Sequence, residues 1–421
     1  MSATHASAMA HERGIARNRG QFLLQTLQVF FVGLVIGMER NVLPAMSQDF
    51  GVAKGAFFFL ASFVISFGLV KGALNFVAGG LSDRIGRKRV LLLGWIAGIP
   101  IPLLIFFAPN WWWIIAANVF LGINQAFTWT MTVTSQIDLA ANNERGLAVG
   151  INEALGYIAV GMAGLGTGYA ALSYGPRLTL LVFGLTTIAC ALLVLTRVED
   201  TIPWVRAEHA HKAIGDAHTP GPSLWDGFVR VSFKDPTYRA ICQGGVANKI
   251  ADTLVWVLLP VFFKTHGLGL VQIGWITGLY AMVWGLSQLA TGHLADRIGR
   301  KVPVVTGFLL LALALVGVAV ERSFRDWLAA AVIMGMGMAL LYPNLIAAMS
   351  DLAPPLERGR ILGVYRYWRD TGYAIGGIVL GLVAAQTRQT QPAIWLTAAL
   401  VAGSGLWIAV AVRETHNRLY A

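Results

Sequence analysis

GGLSDRIGRK, Gly79 to Lys88, and TGHLADRIGRK, Thr291 to Lys301, are one loop written twice in a chain of 421 residues. Asp83 and Asp296 lie 213 positions apart, and the same offset relates Gly79 to Gly292, Arg84 to Arg297, Gly86 to Gly299, Arg87 to Arg300 and Lys88 to Lys301. It recurs at Asp138 and Asp351, then at Glu144-Arg145-Gly146 and Glu357-Arg358-Gly359. One offset held at three separated sites means duplication: two halves, each repeating the plan of the other.

What surrounds these loops is apolar. Hydrophobic residues make up 56% of the chain and charged ones only 13%, with a mean hydropathy of +0.63. A soluble chain of this length needs a polar surface, whereas a helix bundle in hydrocarbon can turn Leu, Val, Ile and Phe outward. Twelve runs are long enough to cross a layer of ~30 Å at ~1.5 Å per residue. They fall near 22–47, 56–81, 89–108, 111–137, 145–173 and 177–197, then 237–264, 270–295, 301–320, 325–351, 358–385 and 391–413.

The fold class predicted is therefore all-α and membrane-embedded, twelve transmembrane helices in two pseudo-symmetric six-helix bundles. The divisions expected are a tail over 1–21, a first bundle over 22–197, a polar linker over 198–236, a second bundle over 237–413 and a tail over 414–421. Within the linker, Trp225, Phe228 and Val229 suit a short helix lying at the membrane interface. The basic stretch ahead of the first run resembles a signal peptide, but the run continues past Gly37 without a small-residue cleavage pattern, so it is expected to remain as the first span.

The formal charge of +11 does not mark a nucleic-acid binder, because the Lys and Arg residues sit in short loops rather than on one solvated face. With both termini cytoplasmic, 21 of the 32 basic residues fall inside and six outside (Lys54, Arg177, Lys264, Arg322, Arg325 and Arg388), a strong positive-inside bias for a multi-pass protein of the inner, cytoplasmic membrane. Trp111, Trp112 and Trp113 are expected at the outer interface. Cys190 and Cys242 have no metal-ligand spacing and read as core residues; no metal site and no cofactor is expected.

In each repeated loop the Gly permits a tight reversal, and the Asp can cap a neighbouring helix N-terminus. The Arg and Lys side chains can reach the acid that ends the next-but-one helix. Asp83 and Arg87 would cluster with Asp138 and Glu144, and Asp296 and Arg300 with Asp351 and Glu357. Charge clusters that form in one state and break in another make a gate.

This pattern resembles the loop 2-3 signature of the major facilitator superfamily with its degenerate copy in loop 8-9, and the resemblance runs the length of the chain. It implies two six-helix bundles around a central cavity, lined by helices 1, 2, 4, 5, 7, 8, 10 and 11, and alternating access by rocking. The repeated loop marks fold and gating, not substrate. Drug and proton antiporters of the superfamily carry an Arg in helix 4 where this chain has Asn118, and a Gly-Pro signature in helix 5 where it reads GYIAVGMAG from Gly156.

Charges inside spans cost ~2.5–3.5 kcal/mol each, so they face a cavity or a partner. Nine occur: Glu39, Arg40, Lys71, Glu153, Lys249, Asp252, Arg366, Arg369 and Asp370, all on helices of the lining set. Tyr365, Arg366, Arg369, Asp370 and Tyr373 form one stripe on helix 11. Guanidinium forks suit carboxylate or phosphate; alternatively Arg366 or Arg369 pairs with Glu153, and Asp252 with Lys71 or Lys249. Asn118, Gln125, Trp129 and Thr132 on helix 4, with Tyr342 and Asn344 on helix 10, could hydrogen-bond a solute. Trp256, Trp284 and Trp368 could pack against it or simply against each other's helices. Proton coupling needs a carboxylate able to load and release near neutral pH, for which Glu153 is the first candidate and Glu39 and Asp252 the others.

These residues predict a monomeric secondary transporter in a lipid bilayer, moving a small solute with a coupling proton. Five buried cations against four acids tip the solute toward an organic or inorganic anion, with lipophilic drug efflux as the alternative. No GxxxxGK[ST] loop occurs, which disfavours ATP-driven pumping. No nucleophile-base pair or metal cluster points to an enzyme. A non-transporting sensor or scaffold on the same fold is a third class.

Overall fold

The computed structural model of the chain describes residues 11–141, 144–212, 224–354 and 357–415, within which the side chains of 208–212, 224, 293, 296 and 358 are not described. The outer parts of the two predicted tails, residues 1–10 and 416–421, and the middle of the predicted linker thus lie outside the described residues. No strand occurs among the described residues.

The first half contains α1 (Arg19–Ala45), α2 (Phe57–Ile85), α3 (Arg87–Phe107), α4 (Trp111–Leu139), α5 (Arg145–Tyr174) and α6 (Pro176–Leu195). The second contains α7 (Pro236–Thr265), α8 (Leu270–Ile298), α9 (Lys301–Val320), α10 (Phe324–Leu352), α11 (Arg358–Thr387) and α12 (Gln391–Ala411). The repeat offset reappears in the starts of α2 and α8, α4 and α10, and α5 and α11.

Ten of the twelve are long and apolar enough to cross a membrane. The other two, α4 and α11, have 29 and 30 residues, ample length. Their hydropathy is lowered by the polar residues that sequence reading singled out: Asn118, Gln125 and Thr132 on α4; Arg366, Arg369 and Asp370 on α11.

Two spans are irregular where they carry charge. α1 winds regularly over Arg19–Gly37, breaks into turns over 38–41, and resumes for Val42–Ala45. The break holds Glu39 and Arg40. α7 runs regularly over Pro236–Thr253 and then widens into a π-turn at Leu254–Leu258, immediately after Asp252. Such widened turns concentrate at functional sites.

The halves meet where α5 packs along α8 and α2 along α11. Glycine allows the close approach: a Cβ on Gly161 would stand 2.6 Å from the carbonyl of Gly278, and one on Gly285 2.6 Å from that of Ala154. Leu193 of α6, Leu313 of α9 and Val410 of α12 are exposed, as an apolar outer surface in lipid requires.

The segment joining the halves is more ordered than a bare linker. Its helix Ile202–Lys212 buries Trp204 against Phe22, Leu139, Ala140 and Ala148 of the first half. A short helix Leu224–Val229 and a π-turn Arg230–Lys234 follow. Phe228 rests on Phe76 of α2 and on Tyr367 and Trp368 of α11, while Trp225 is exposed.

Two sequence expectations are corrected. Trp111 is fully buried against Phe50 and Phe63, because α4 begins under the α1–α2 connection; only Trp112 and Trp113 face outward. Cys190 is exposed on the outer side of α6, and only Cys242 is a core residue.

Candidate functional site: a charged cavity between the halves

The repeated loops do their work at one end of the bundle, here termed the motif face. Gly86 and Gly299 have φ of 99° and 92°, the left-handed region that favours glycine. Arg87 Nη1 meets Asp83 at 2.5 Å and its Nε meets Asp138 at 3.3 Å; Arg300 Nε meets Asp351 at 3.4 Å. Arg84 and Arg297 are exposed.

Other parts of the gating expectation are corrected. Glu144 does not join the Arg87 cluster but accepts from the backbone N–H of Ile15 at 2.8 Å and of Ala141 at 3.1 Å. Glu357 pairs with Arg230 of the linker at 3.3 Å. The acid at the N-terminus of α3 is not Asp83. Asp200 accepts from the N–H of Lys88 at 3.2 Å, and Glu414 from those of Arg300 and Lys301 at 2.8 and 3.1 Å. Both caps lie beyond the sixth span of their half, so the repeated loop alone could not reveal them. The side chains of Asp296 and Arg358 are outside the described residues.

Between the halves lies a cavity lined by Arg40, Lys71, Asn75, Trp129, Thr130, Glu153, Tyr157, Lys249, Tyr342, Arg366, Arg369, Asp370 and Tyr373. Seven of the twelve residues predicted from the sequence are among them. The repeat offset extends into this lining, since Trp129 and Tyr342 are equivalent positions, as are Glu153 and Arg366, and Tyr157 and Asp370. Its volume is about 20 Å³, space for little more than a water. The halves are closed on each other, and a solute enters only when they separate.

Two polar clasps hold them. Toward the end away from the motif face, Arg40 of α1 donates to both carboxylate oxygens of Asp252, Nη1 at 2.9 Å and Nη2 at 3.2 Å. Tyr373 donates to the same carboxylate at 2.5 Å and Tyr280 at 3.3 Å, and Lys249 lies 3.6 Å from it. Deeper toward the motif face, Arg369 and Asp370 pair side by side at 2.7 and 2.8 Å, and Asn75 of α2 donates to Asp370. Thr130 donates to Asn75 in turn at 3.1 Å. Each clasp thus ties a carboxylate of the second half to a donor of the first.

The pairings weighed from the sequence resolve only in part. Asp252 pairs with Lys249 but chiefly with Arg40, across the halves. Glu153 pairs with neither Arg366 nor Arg369; its Oε1 accepts from the indole N–H of Trp129 at 2.8 Å and Oε2 has no hydrogen-bond partner.

Lys249 points its ammonium among the rings of Tyr157, Trp284, Tyr342 and Tyr373, 4.9–5.6 Å from their centroids. Lys71 lies 5.4–5.8 Å from Phe67, Trp129 and Tyr373 and forms no ion pair among the described residues. Arg366 lines the cavity with neither an ion pair nor a hydrogen bond among the described residues.

Five predicted residues are not in the lining. Asn118 donates to Ile114 O at 3.1 Å within its own helix, and Gln125 to Val32 O of α1 at 3.1 Å, so both are spent inside the first half. Tyr365 is buried behind Arg369 against Gly245. Asp252 stands behind Arg40, and Glu39 is enclosed beside Asn118. Asn75, Thr130 and Tyr157 were missed. Uncharged polar groups give no cost signal in an apolar run, though the 213-position offset linking Tyr157 to Asp370 was available to find one of them.

Comparison with known proteins fits this geometry. Multidrug resistance protein MdtG of Citrobacter koseri is 22% identical over 371 residues, 85% of this chain and 87% of its own length. Uncharacterized MFS-type transporter Rv1250 of Mycobacterium tuberculosis is 24% identical over 172 residues, 40% of this chain and 27% of its own. Uncharacterized MFS-type transporter YcaD of Salmonella arizonae is 25% identical over 172 residues, 41% of this chain and 44% of its own, so the chain spans less than half the length of either of these two. The model of the Major Facilitator Superfamily matches twice, over residues 26–250 and 241–419, once for each repeat. The chain belongs to the Major Facilitator Superfamily, and is a membrane transporter rather than an enzyme.

Proposed function

We propose that the protein moves a small organic or inorganic anion by alternating access, with proton coupling. The observation that carries this reading is a charge imbalance. Arg40, Lys71, Lys249, Arg366 and Arg369 face the cavity, and the carboxylates about it are Asp252, Asp370 and Glu153. Asp252 and Asp370 are engaged by Arg40 and Arg369, which leaves Lys71 and Arg366 with no counter-charge in contact. Holding two cations in a closed site without a counter-charge in contact is expensive, and an anionic ligand offsets that cost.

The two clasps supply the gates. A solute between them is released to one side when Arg40 leaves Asp252 and to the other when Asn75 leaves Asp370. Glu153, partly unsatisfied and at the repeat position equivalent to Arg366, is the cavity carboxylate suited to exchange a proton with the solute. The positive-inside bias supports an orientation with both termini and the motif face in the cytoplasm of a prokaryotic cell. The protein is taken to act as a monomer.

A second reading is lipophilic cation or drug efflux. The name of one relative, matched over 85% of this chain, favours it, and so does the aromatic cage now filled by Lys249, which would suit another cation if Lys249 withdrew. A thermal-shift screen of the purified protein against carboxylates, phosphates, sugars and lipophilic cations separates the two. Stabilisation by anions, lost in Arg366→Ala, supports the first; response to lipophilic cations alone, unchanged in that variant, supports the second.

A further inference from the structure

Glu39 is a carboxylate that neither clasp uses. It is 0% exposed, and neither oxygen makes a hydrogen bond of acceptable geometry. Its polar neighbour on α4 is Asn118, whose amide nitrogen already donates one N–H to Ile114 O. Its chain neighbour Arg40 is turned away to Asp252 and stacks over Trp256, 4.7 Å from the ring centroid. An ionised carboxylate cannot stay in such surroundings uncompensated; it takes up a proton or recruits a cation.

The cation within reach is Arg40, and what Arg40 does decides the closure of the face opposite the motif loops. The short segment that follows Glu39 ties the first half to the second at three residues on that side, alongside the hydrogen bond from Trp275 of α8 to Tyr169 of α5 at 3.1 Å. Arg40 holds Asp252 of α7, Asn41 accepts from Thr277 of α8, and the carbonyl of Ala45 accepts from Lys264 of α7 at 2.5 Å. Above them is a vestibule of about 720 Å³, floored by Pro44 and Ala45 and walled by both halves. Glu39 lies five positions before Pro44, at the root of the segment.

We propose that Glu39 is a proton-binding site that controls the gate opposite the motif face. Protonated, it leaves Arg40 to Asp252 and the segment 40–45 stays clasped to the second half. Deprotonated, it draws Arg40 back within the first half, Asp252 loses its main partner, and that face opens. The step is one proton bound or released at the Glu39 carboxyl. The charged and titratable groups facing the switch are Arg40 on α1, Asp252 and Lys249 on α7, Tyr157 on α5, Tyr280 on α8 and Tyr373 on α11, with Asn118 on α4 the neutral neighbour. Asp252 is engaged by Arg40, Tyr373 and Tyr280 with Lys249 beside it, whereas neither oxygen of Glu39 has a hydrogen-bond partner of acceptable geometry. The proposal rests on alternating access but not on the identity of the solute, so its test uses no solute.

Spin labels are placed at Lys54→Cys in the first half and Arg388→Cys in the second, on opposite walls of the vestibule, in a background with Cys190→Ser and Cys242→Ala. Distances are measured in lipid nanodiscs from acid to alkaline pH. The expected result is a short distance at low pH, a growing long-distance population as pH rises, and a short distance at every pH in Glu39→Gln, which keeps the shape and the neutral charge of the protonated acid. In parallel, infrared difference spectra of the label-free protein should show a protonated-carboxyl band at low pH that Glu39→Gln removes. Asp252→Asn, which releases Arg40 directly, should give the long distance regardless of pH. A pH-dependent distance that persists in Glu39→Gln, a distance independent of pH in the parent, or a carboxyl band unaltered by Glu39→Gln overturns the proposal. A failure to find any transported anion would leave these readouts intact.

Discussion

Arg40 and Asp252 stand 212 residues apart on opposite halves, yet form a two-pronged pair at 2.9 and 3.2 Å in which the Arg is 8% exposed at its side chain and the Asp not at all. The pair sits where both helices depart from regular winding, α1 in its break over 38–41 and α7 just before its π-turn. Irregular backbone inside a membrane persists only where it is buried in protein or lines a cavity. Both breaks meet that condition, and both place charge on the seam between the halves.

Removing one member of this pair should be far worse than removing both. Asp252→Ala strands Arg40 and Lys249 as neighbouring buried cations, and a loss of about 3–5 kcal/mol is expected. The double variant Arg40→Met with Asp252→Leu should recover most of that. Denaturation midpoints in detergent check the order; equal losses in the single and double variants would mean the pair is not the seam's main polar contact.

On α11, two arginines three residues apart should behave oppositely. Arg369 holds Asp370 through Nε and Nη2, so Arg369→Ala leaves a buried carboxylate with Asn75 as its one hydrogen-bond donor among the described residues and should destabilise by about 3–5 kcal/mol. Arg366 has no partner to strand, so Arg366→Ala should leave the midpoint unchanged or raise it while abolishing the response to anions. Melting curves with and without a stabilising anion separate the two effects.

How much of this was visible in the sequence varies residue by residue. The duplicated loop and the charges inside apolar runs are strong signals, because a repeat is improbable by chance and a buried charge is costly; they led to the fold and to Lys71, Lys249, Arg366 and Arg369. Partner choice was not visible. Glu39 and Arg40 are adjacent, yet the break in α1 sends their side chains to different surroundings, and periodicity assumes an unbroken helix. Asn118 and Gln125 share the spacing of cavity residues but satisfy backbone carbonyls within the first half. Asp200 and Glu414 cap helices distant in sequence, a contact that only the packed chain creates.

Those caps give a further expectation. Asp200→Ala and Glu414→Ala each expose backbone N–H groups at the start of α3 and α9, at a cost of about 0.5–2 kcal/mol. Asp83, 67% exposed at its side chain and paired one turn along with Arg87, should cost only about 0.3–0.5 kcal/mol when replaced by Ala. Chemical denaturation of the three variants tests the ranking, which reverses what the repeated loop suggests when read alone.

Close approach of α5 and α8 should depend on the absence of side chains. Gly161→Val puts atoms within 2.6 Å of Gly278 O, a backbone position that cannot retreat, and should hold the helices apart. Gly146→Ala, at a position with nothing within 4 Å, is the control. Disulfide trapping across α5 and α8 should fall in the first and not in the second.

The central claim is that two cations with no counter-charge in contact, Lys71 and Arg366, hold an anionic solute between two gates. The direct measurement is flux of labelled small carboxylates and phosphates across proteoliposomes under an imposed pH gradient, for the parent, Lys71→Ala and Arg366→Ala. The account predicts saturable, gradient-dependent flux of at least one anion in the parent, reduced tenfold or more in each variant, with both variants as thermally stable as the parent. Anion flux equal in all three proteins, or saturable flux of lipophilic cations alone, would contradict it.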